Sequence, residues 1–183
     1  MKILFTGDSI TDWGRWREDP ASMGMGYPLI VSAKLAVSQP GRFTFRNTGI
    51  AGHRSLDVYA RIQKDCWSIQ PDVISLLVGV NDVWQEFTEN EGIDAERFYR
   101  IYKMMLEDTK KHLPDAKILL MGPFVLHGSA VDEEWETFSR EVPLRAQAVK
   151  RIAEEMGTLY LPLQEIFDKA CEICPPDYWL MDG

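Results

Sequence analysis

The sequence has few cysteines, no excess of basic residues and no long apolar run. Its three cysteines, Cys66, Cys171 and Cys174, are too few and too unevenly spaced for a disulfide framework. Against 28 acidic residues stand only 20 lysines and arginines, and the net charge of −8 repels a phosphate backbone or an anionic membrane on average. After Lys2 only three apolar residues precede Thr6, which is too short for a signal peptide or a membrane span. We therefore expect a cytoplasmic protein without a nucleic-acid or membrane partner.

The patterns that hold nucleotides or metals are also missing. No G-x-G-x-x-G follows the first apolar run, and G-x-x-x-x-G-K-[ST] occurs nowhere. Cys171 and Cys174 have the spacing of a redox pair but lack a second pair that would complete a zinc site, which favours buried or idle thiols. Asp8 and Asp82 lie near glycine turns, where carboxylates usually accept backbone N–H groups. The sequence thus predicts neither a metal nor a cofactor.

Short apolar runs alternate with segments of helical periodicity. The runs cover 2–7, 43–49, 72–79, 117–122 and 158–162, and the first four end in glycine. Helical spacing covers 28–37, 56–67, 95–112 and 133–156. Runs such as VISLLV are apolar throughout, so both faces of their strands are buried, as in a parallel sheet between helices. The pattern predicts a single domain over 1–183 of the α/β class, with three layers in the order α/β/α.

Short polar motifs follow four of these predicted strands. They are GDS at 7–9, GIAG at 49–52, GVND at 79–82 and GPF at 122–124. In a doubly wound parallel sheet the ligand crevice lies beyond the carboxyl ends of the strands. We therefore expect these motifs to meet in space.

The chemistry that such a cluster offers is acyl transfer. Ser9, between a strand and a helix, presents a hydroxyl near helix N–H groups, which makes it a candidate nucleophile. Acyl transfer also needs N–H donors aimed at the tetrahedral oxyanion. Gly52 lets backbone approach a substrate closely, Asn81 adds a carboxamide, and the Ser9 N–H is a third donor.

Taken singly, each motif also has a plain structural interpretation. GDS is common as a turn with a helix N-cap serine, NTGIAG can be only a turn, and GVND only a strand exit. Their order, each at the end of a successive predicted strand, favours a functional interpretation.

The strings GDSITDWGR, NTGIAG and GVNDVW resemble the first three sequence blocks of the SGNH hydrolases, also called the GDSL esterase/lipase family. Their fuller forms resemble the branch that includes acetylxylan and other carbohydrate acetyl esterases. The resemblance implies a flavodoxin-like sheet of order 2-1-3-4-5, with Ser9 as nucleophile and Gly52 and Asn81 as oxyanion donors.

The family's fourth motif is Asp-x-x-His-Pro, and YWLMDG at 178–183 resembles its beginning. Asp182 would then be the acid of the catalytic triad, and the histidine would fall two places beyond Gly183. We expect the native chain to continue to that histidine and to a final helix that covers the sheet. Without the base, the hydroxyl of Ser9 stays largely protonated and the chain would be inert.

A further set of residues is predicted to line the substrate pocket. His53 follows the oxyanion glycine and is expected to contact substrate rather than act as the base, whereas His127 is either pocket-lining or an ordinary loop residue. Arg15 either holds a polar substrate group or pairs with Asp12. Aromatic side chains there either stack on sugar rings or pack in the core. The predicted pocket residues are Asp8, Arg15, His53, Trp84, Phe124 and His127.

These expectations define a serine esterase acting on short acyl esters through an acyl-enzyme. The resemblance implies O-acetyl groups on carbohydrate as the substrate, with a small-molecule ester as partner. Two alternatives stay open: a non-catalytic module that binds acylated carbohydrate, and a lipase or thioesterase of the same fold. The sequence does not define the oligomeric state.

Overall fold

A sheet of five parallel strands runs through the centre of the molecule. The computed structural model describes residues 1–180 and 182–183. Each of the five predicted apolar runs contains a strand, and the strand order is β2-β1-β3-β4-β5. The predicted fold class is therefore confirmed. The strands are β1 (Lys2–Gly7), β2 (Thr44–Asn47), β3 (Val73–Leu77), β4 (Lys117–Met121) and β5 (Leu159–Leu161).

Helices cover both faces of this sheet. One face carries α3 (Ser55–Asp65), α5 (Ala95–His112) and α6 (Trp135–Met156), whose apolar sides enclose the largest core cluster. The short α1 (Ser9–Asp12), α2 (Tyr27–Ser38) and α7 (Leu163–Cys171) lie on the other face. The remaining helices are α4 (Val80–Thr88), which begins just after β3, and α8 (Pro176–Trp179).

Alternation along the strands supplies both cores. Leu4 is fully buried in the cluster that contains Tyr102, whereas its neighbours Ile3 and Phe5 pack on the opposite face with Tyr27. Because successive side chains of a strand point to opposite faces, an apolar run without alternation is what a sheet covered on both sides requires.

The carboxyl ends of four strands are aligned at one edge of the sheet. Gly7 of β1 is in register with Leu77 of β3, which is in register with Met121 of β4, and Met121 with Leu161 of β5. A Cβ at Gly7 would lie 2.0 Å from the Leu77 carbonyl oxygen, so only glycine fits there. The strand exits are therefore close-packed, and Ser9 leaves the sheet beside the start of α4.

The structure contains more helices than the four predicted segments. The predicted helices at 28–37, 56–67, 95–112 and 133–156 correspond to α2, α3, α5 and α6. For GVND at 79–82 the sequence left a plain strand exit open, and residues 80–88 form α4. The helices α7 and α8 also lie outside the four predicted segments. Among the described residues, no helix combines the length and apolar character needed to cross a bilayer.

Candidate active site

Ser9 is the first residue of α1, directly beyond the end of β1. The helix is capped by Asp8, whose carboxylate accepts the Ile10 N–H at 3.1 Å. Since the first N–H groups of a helix have no partner within it, the Ser9 N–H is left available. Neither this N–H nor the Ser9 hydroxyl bonds to another group in the part of the chain that the structure describes. Ser9 is partly exposed, so both groups can be reached from solvent.

A small cavity of about 90 Å³ opens in front of Ser9. It brings together three predicted site residues, Ser9, Asn81 and Asp182, which come from three distant parts of the chain. The lining residues are Ser9, Ile10, Val80, Asn81, Trp84, Phe124, Leu180, Asp182 and Gly183.

The loop at 48–54, which follows β2, lies against the end of β1. The Ile50 N–H donates to the Gly7 carbonyl at 3.1 Å, and the His53 N–H closes a turn onto the Ile50 carbonyl at 3.2 Å. Within this turn Gly52 has φ +82°, and a Cβ there would meet no atom within 4 Å. The Gly52 N–H has no partner among the described residues and is therefore free to bind an oxyanion.

Two carboxamides of α4 hold this loop from the other side. Asn81 donates from Nδ2 to the His53 carbonyl at 3.1 Å, which uses one of its two amide hydrogens. Gln85, one turn further, donates from Nε2 to the Gly52 carbonyl at 2.5 Å. The second Asn81 hydrogen remains for a ligand in the cavity.

A buried ion pair supports the same loop from α1. Asp12 accepts the Ala51 N–H at 3.0 Å and pairs with Arg15 at 2.9 Å, and Arg15 donates to the Gly49 carbonyl at 2.6 Å. Burial raises the pKa of Asp12, but hydrogen bonds from Arg17 and Ala51 and the charge of Arg15 outweigh it and keep this pKa below its ordinary value. Of the two roles that the sequence left open for Arg15, its contacts are those of the pairing with Asp12.

Asp82 joins the first turn of α4 to the start of α3. It is fully buried and accepts the Ser55 N–H at 3.0 Å and the Ser55 hydroxyl at 2.6 Å. Burial raises the pKa of Asp82 to about 6, although the bonds from Ser55 favour its charged form. Asp82, which follows Asn81, is thus hydrogen-bonded to Ser55, which follows the loop at 48–54.

Asp8 is a second buried carboxyl, directly before Ser9. It is 1 % exposed, and its Oδ2 has no hydrogen-bond partner among the described residues. Burial raises the pKa of Asp8 to about 7, and the charge of Asp82 contributes in the same direction. The sequence places Asp8 in the pocket lining, but it lies beneath Ser9, outside the residues that line the cavity.

Asp182 reaches the cavity from the opposite side. Its carbonyl accepts the Ala130 N–H at 3.3 Å, and the Gly183 carbonyl accepts the Leu126 N–H at 3.0 Å. These backbone bonds hold the two residues along the segment that follows β4. Met181, within the YWLMDG string, lies outside the described residues.

The other predicted pocket residues are divided between the cavity and its surroundings. Trp84 and Phe124 line it. His53 turns its Nδ1 to Arg61 Nε at 3.1 Å, and burial and the charge of Arg61 lower its pKa. Gly52 does not line the cavity. Its carbonyl accepts a hydrogen bond from Gln85.

The two remaining histidines have partners of their own. His127 bonds Asp132 at 2.9 Å and stacks on Trp135 with ring centroids 3.7 Å apart. His112 stacks on Trp67 with ring centroids 3.9 Å apart. Within the described part of the chain, no histidine lines the cavity of Ser9.

Sequence reasoning missed some of the residues at this site. Ile10, Val80 and Leu180 add to the apolar lining that Trp84 and Phe124 also form, and Gln85 binds the loop. The missed signal for Gln85 was its spacing, since residues four apart share one face of a helix and Gln85 follows Asn81 by four.

A larger cavity of about 260 Å³ lies on the far side of α4, between Asp82, Phe87 and Arg145. Ser9 and Asn81 do not line it, and its lining carries mostly charged side chains. We therefore place the candidate site at the smaller cavity, because the Ser9 hydroxyl and the Asn81 carboxamide meet there.

A serine at the exit of a parallel strand, with a free N–H on the loop after β2 and a carboxamide in the first turn of α4, is the arrangement typical of an acyl-transferring hydrolase. The family model for the GDSL-like lipase/acylhydrolase family matches residues 5–182. The chain belongs to this family of carboxylic ester hydrolases.

Known proteins resemble the chain over nearly its whole length. An acetylxylan esterase from Geobacillus stearothermophilus is 30% identical over 184 aligned residues, which cover 96% of this chain and 81% of the esterase. The crystal structure of a GDSL-like lipase from Parabacteroides merdae superposes with a TM-score of 0.94 at 33% identity, covering 100% of this chain and 86% of that one. A structure of the Geobacillus esterase gives a TM-score of 0.85 at 30% identity, covering 97% and 82%. Catalytic mutants of that esterase replace a serine, an aspartate or a histidine by alanine.

Proposed function

We propose that this protein is a serine esterase that removes acetyl groups from carbohydrate, with Ser9 as the nucleophile. One observation carries the proposal: the Ser9 hydroxyl and the Asn81 carboxamide line the same small cavity, and both keep hydrogen-bonding capacity that no described residue uses. Buried or half-buried polar groups are normally paired, so groups left free in a cavity favour a ligand there.

In the proposed reaction the Ser9 oxygen attacks the ester carbonyl carbon. The carbonyl oxygen becomes negative as the C=O bond opens, and the N–H groups of Ser9 and Gly52 and the Asn81 amide bind it. Collapse of the tetrahedral intermediate expels the sugar alkoxide, which leaves as the alcohol after taking a proton. Water then attacks the acyl-enzyme by the same route and releases acetate and the Ser9 hydroxyl.

The proton of Ser9 needs a base, and we assign Asp182 as the acid that orients it. In the Geobacillus esterase the aspartate and histidine that the catalytic mutants replace are three residues apart. That spacing supports an aspartate and a histidine as the partners of the serine, and each assay uses the full-length gene product.

The size of the cavity and the relatives point to a short acyl group. A space of about 90 Å³ bounded by Ile10, Trp84, Phe124 and Leu180 suits an acetyl group better than a long acyl chain. The Geobacillus relative is an acetylxylan esterase. Trp84 belongs to the lining and is the aromatic residue that we propose to contact a sugar ring.

The test compares Ser9→Ala with Ser38→Ala, an exposed serine at the end of α2. On acetylated xylo-oligosaccharides Ser9→Ala should lower kcat by more than about 10³-fold while the control keeps parental turnover. A serine-directed phosphonate should add its mass to the peptide that contains Ser9. Long-chain lipid esters and acyl thioesters, assayed in parallel, separate the acetyl esterase from a lipase or a thioesterase.

Unchanged turnover in Ser9→Ala would exclude this mechanism. If the parent binds acetylated oligosaccharide but does not hydrolyse it, the non-catalytic binding module is correct instead.

A further inference from the structure

The carboxamide of Gln85, which lies outside the three sequence blocks, bonds the backbone of the loop at 48–54. Asn81 and Gln85 lie one turn apart on α4 and donate to two consecutive carbonyls, those of His53 and Gly52. Asn81 also lines the cavity, but Gln85 does not. Gln85 therefore contacts the loop without contacting the space where substrate would bind.

The residue that Gln85 holds has no side chain that packing could fix. Gly52 is exposed, its φ is +82°, and nothing lies within 4 Å of the position of a Cβ. Glycine populates positive and negative φ about equally, so packing does not determine which way its two peptide planes face. Only hydrogen bonds to those planes can determine it.

Both peptide groups that flank the 51–52 peptide, which carries the Gly52 N–H, are held by hydrogen bonds. In the preceding peptide, the Ala51 N–H donates to Asp12 at 3.0 Å. In the following peptide, the Gly52 carbonyl accepts from Gln85 at 2.5 Å and the His53 N–H donates to the Ile50 carbonyl at 3.2 Å. A shift of the loop that moves the Gly52 N–H relative to α4 therefore costs the hydrogen bond to Gln85.

We propose that Gln85 is a positioning residue that keeps the Gly52 N–H directed at the oxyanion during ester hydrolysis. The inference rests on the proposed function and deepens it. The Gly52 N–H binds the charged oxyanion of the transition state more strongly than the neutral carbonyl of the bound ester. The effect of Gln85 on this N–H is therefore felt mainly in the transition state. Loss of Gln85 should therefore lower kcat and leave KM nearly unchanged.

The first test uses Gln85→Met, which keeps the length of the side chain but removes both donors. Gln63→Met is the matched control, since Gln63 is an exposed carboxamide on α3 that bonds only Ser68. Removal of a whole oxyanion donor costs about 10²-fold or more, so loss of its orientation should lower kcat by about 10-fold. Binding of an alkylboronic acid, which forms a tetrahedral adduct with a reactive serine, should weaken by about the same factor. The control should match the parent in both measurements.

The second test uses Gln85→Glu and a pH profile. The ionised carboxylate cannot donate to the Gly52 carbonyl and repels its oxygen, whereas the protonated acid can donate. The ratio of the variant kcat to the parental kcat should therefore rise as the pH is lowered from 8 to 5. Gln85→Met should show no such rise, and a residue that merely stabilises the fold would give neither behaviour.

The outcomes separate the two proposals. A parent without turnover that depends on Ser9 overturns the proposed function and this inference together. A parent with such turnover and a Gln85→Met variant of parental kcat overturns the inference alone. A variant that raises only KM also overturns it, because Gln85 would then contribute to substrate binding. Thermal unfolding of each variant shows that kcat is measured on folded protein.

Discussion

The two sides of the Ser9 cavity are built in different ways. On the side of the proposed oxyanion donors, side chains of α1, of Arg15 just beyond it and of α4 bond the loop at 48–54 at Gly49, Ala51, Gly52 and His53. On the opposite side, Asp182 and Gly183 are held by backbone hydrogen bonds to the segment that follows β4. The first side is a network of side-chain hydrogen bonds to backbone groups, and the second is held by backbone hydrogen bonds between two segments of the chain.

The difference follows from what each side has to do in the proposed reaction. Oxyanion donors act through their direction, and direction is preserved by many short bonds in a site that does not relax. An acid that orients a mobile imidazole needs its charge in the right place, and backbone pairing suffices for that. We therefore expect substitutions on the acid side to remove chemistry without unfolding, and substitutions on the donor side to affect both.

The largest effect should come from Asp182→Asn. The exchange keeps the shape of the side chain and the backbone bonds of residue 182 but removes the charge that would stabilise an imidazolium. Turnover by the full-length gene product should fall by about 10³- to 10⁴-fold with an unchanged unfolding temperature. Asp177→Asn on α8, also exposed, is the control and should keep parental turnover. A loss of less than about 10-fold would remove Asp182 from the triad.

The second prediction concerns the stability of the protein rather than its turnover. It involves Asp8, which directly precedes Ser9 and is buried. Because burial raises the folded-state pKa of Asp8 from 3.8 to about 7, its contribution to stability is complete below about pH 4 and is lost as the pH rises through about 7. Three pH units at about 1.4 kcal/mol each give a change on the order of 4 kcal/mol. An asparagine side chain does not titrate, so Asp8→Asn should gain stability over the parent as the pH rises from 4 to 8.

Urea unfolding at several pH values measures that difference. Asp12→Asn is the control, because the pKa of Asp12 is lowered below 3.8, so that its contribution to stability is constant from pH 4 to 8 and is lost only at lower pH. A constant difference between Asp8→Asn and the parent from pH 4 to 8 would show that Asp8 stays ionised in the folded protein.

Asn81→Ala should have a smaller effect than Asp182→Asn or Asp8→Asn, but it should lower both turnover and stability. It removes one proposed oxyanion donor and the bond to the His53 carbonyl, so kcat should fall by about 10²-fold and the free energy of unfolding by about 1 kcal/mol. Thr88→Ala, exposed at the end of the same helix, is the control for helix stability. An effect on KM alone would make Asn81 a binding residue and remove the contrast between the two sides.

The sequence predicted the positions of these groups better than their partners. Ser9 could be located because a strand-to-helix junction exposes a hydroxyl, and this requirement is local. The bonds from Arg15 to Gly49 and from Gln85 to Gly52 join residues more than 30 positions apart. Such contacts depend on how α1 and α4 pack against the loop, which no spacing reveals.

The histidines also show that sequence position does not determine the partners of a side chain. His53 and His127 are predicted to lie at the pocket because they follow predicted strand ends in the chain. Adjacency in sequence does not determine where a side chain points, and Arg61 and Asp132 take these two rings as partners. The helix at 80–88 escapes prediction because GVND is also a common strand exit, and only the placement of Asn81 and Gln85 on one face shows its role.

The smallest effect should come from His127→Ala, on the acid side of the cavity. The ring is exposed, stacks on Trp135 and bonds Asp132, and it does not line the cavity. Its removal should change kcat by less than about 2-fold and stability by at most about 1 kcal/mol, the usual range for an exposed polar pair. The Leu126 and Ala130 N–H groups still hold residues 182 and 183 in the variant, because those bonds are made by backbone alone. The contrary result is a fall in kcat of about 10-fold or more on an acetylated oligosaccharide, with KM unchanged. The segment after β4 would then act through its side chains, as the side of the oxyanion donors does. The contrast between the two sides would fail.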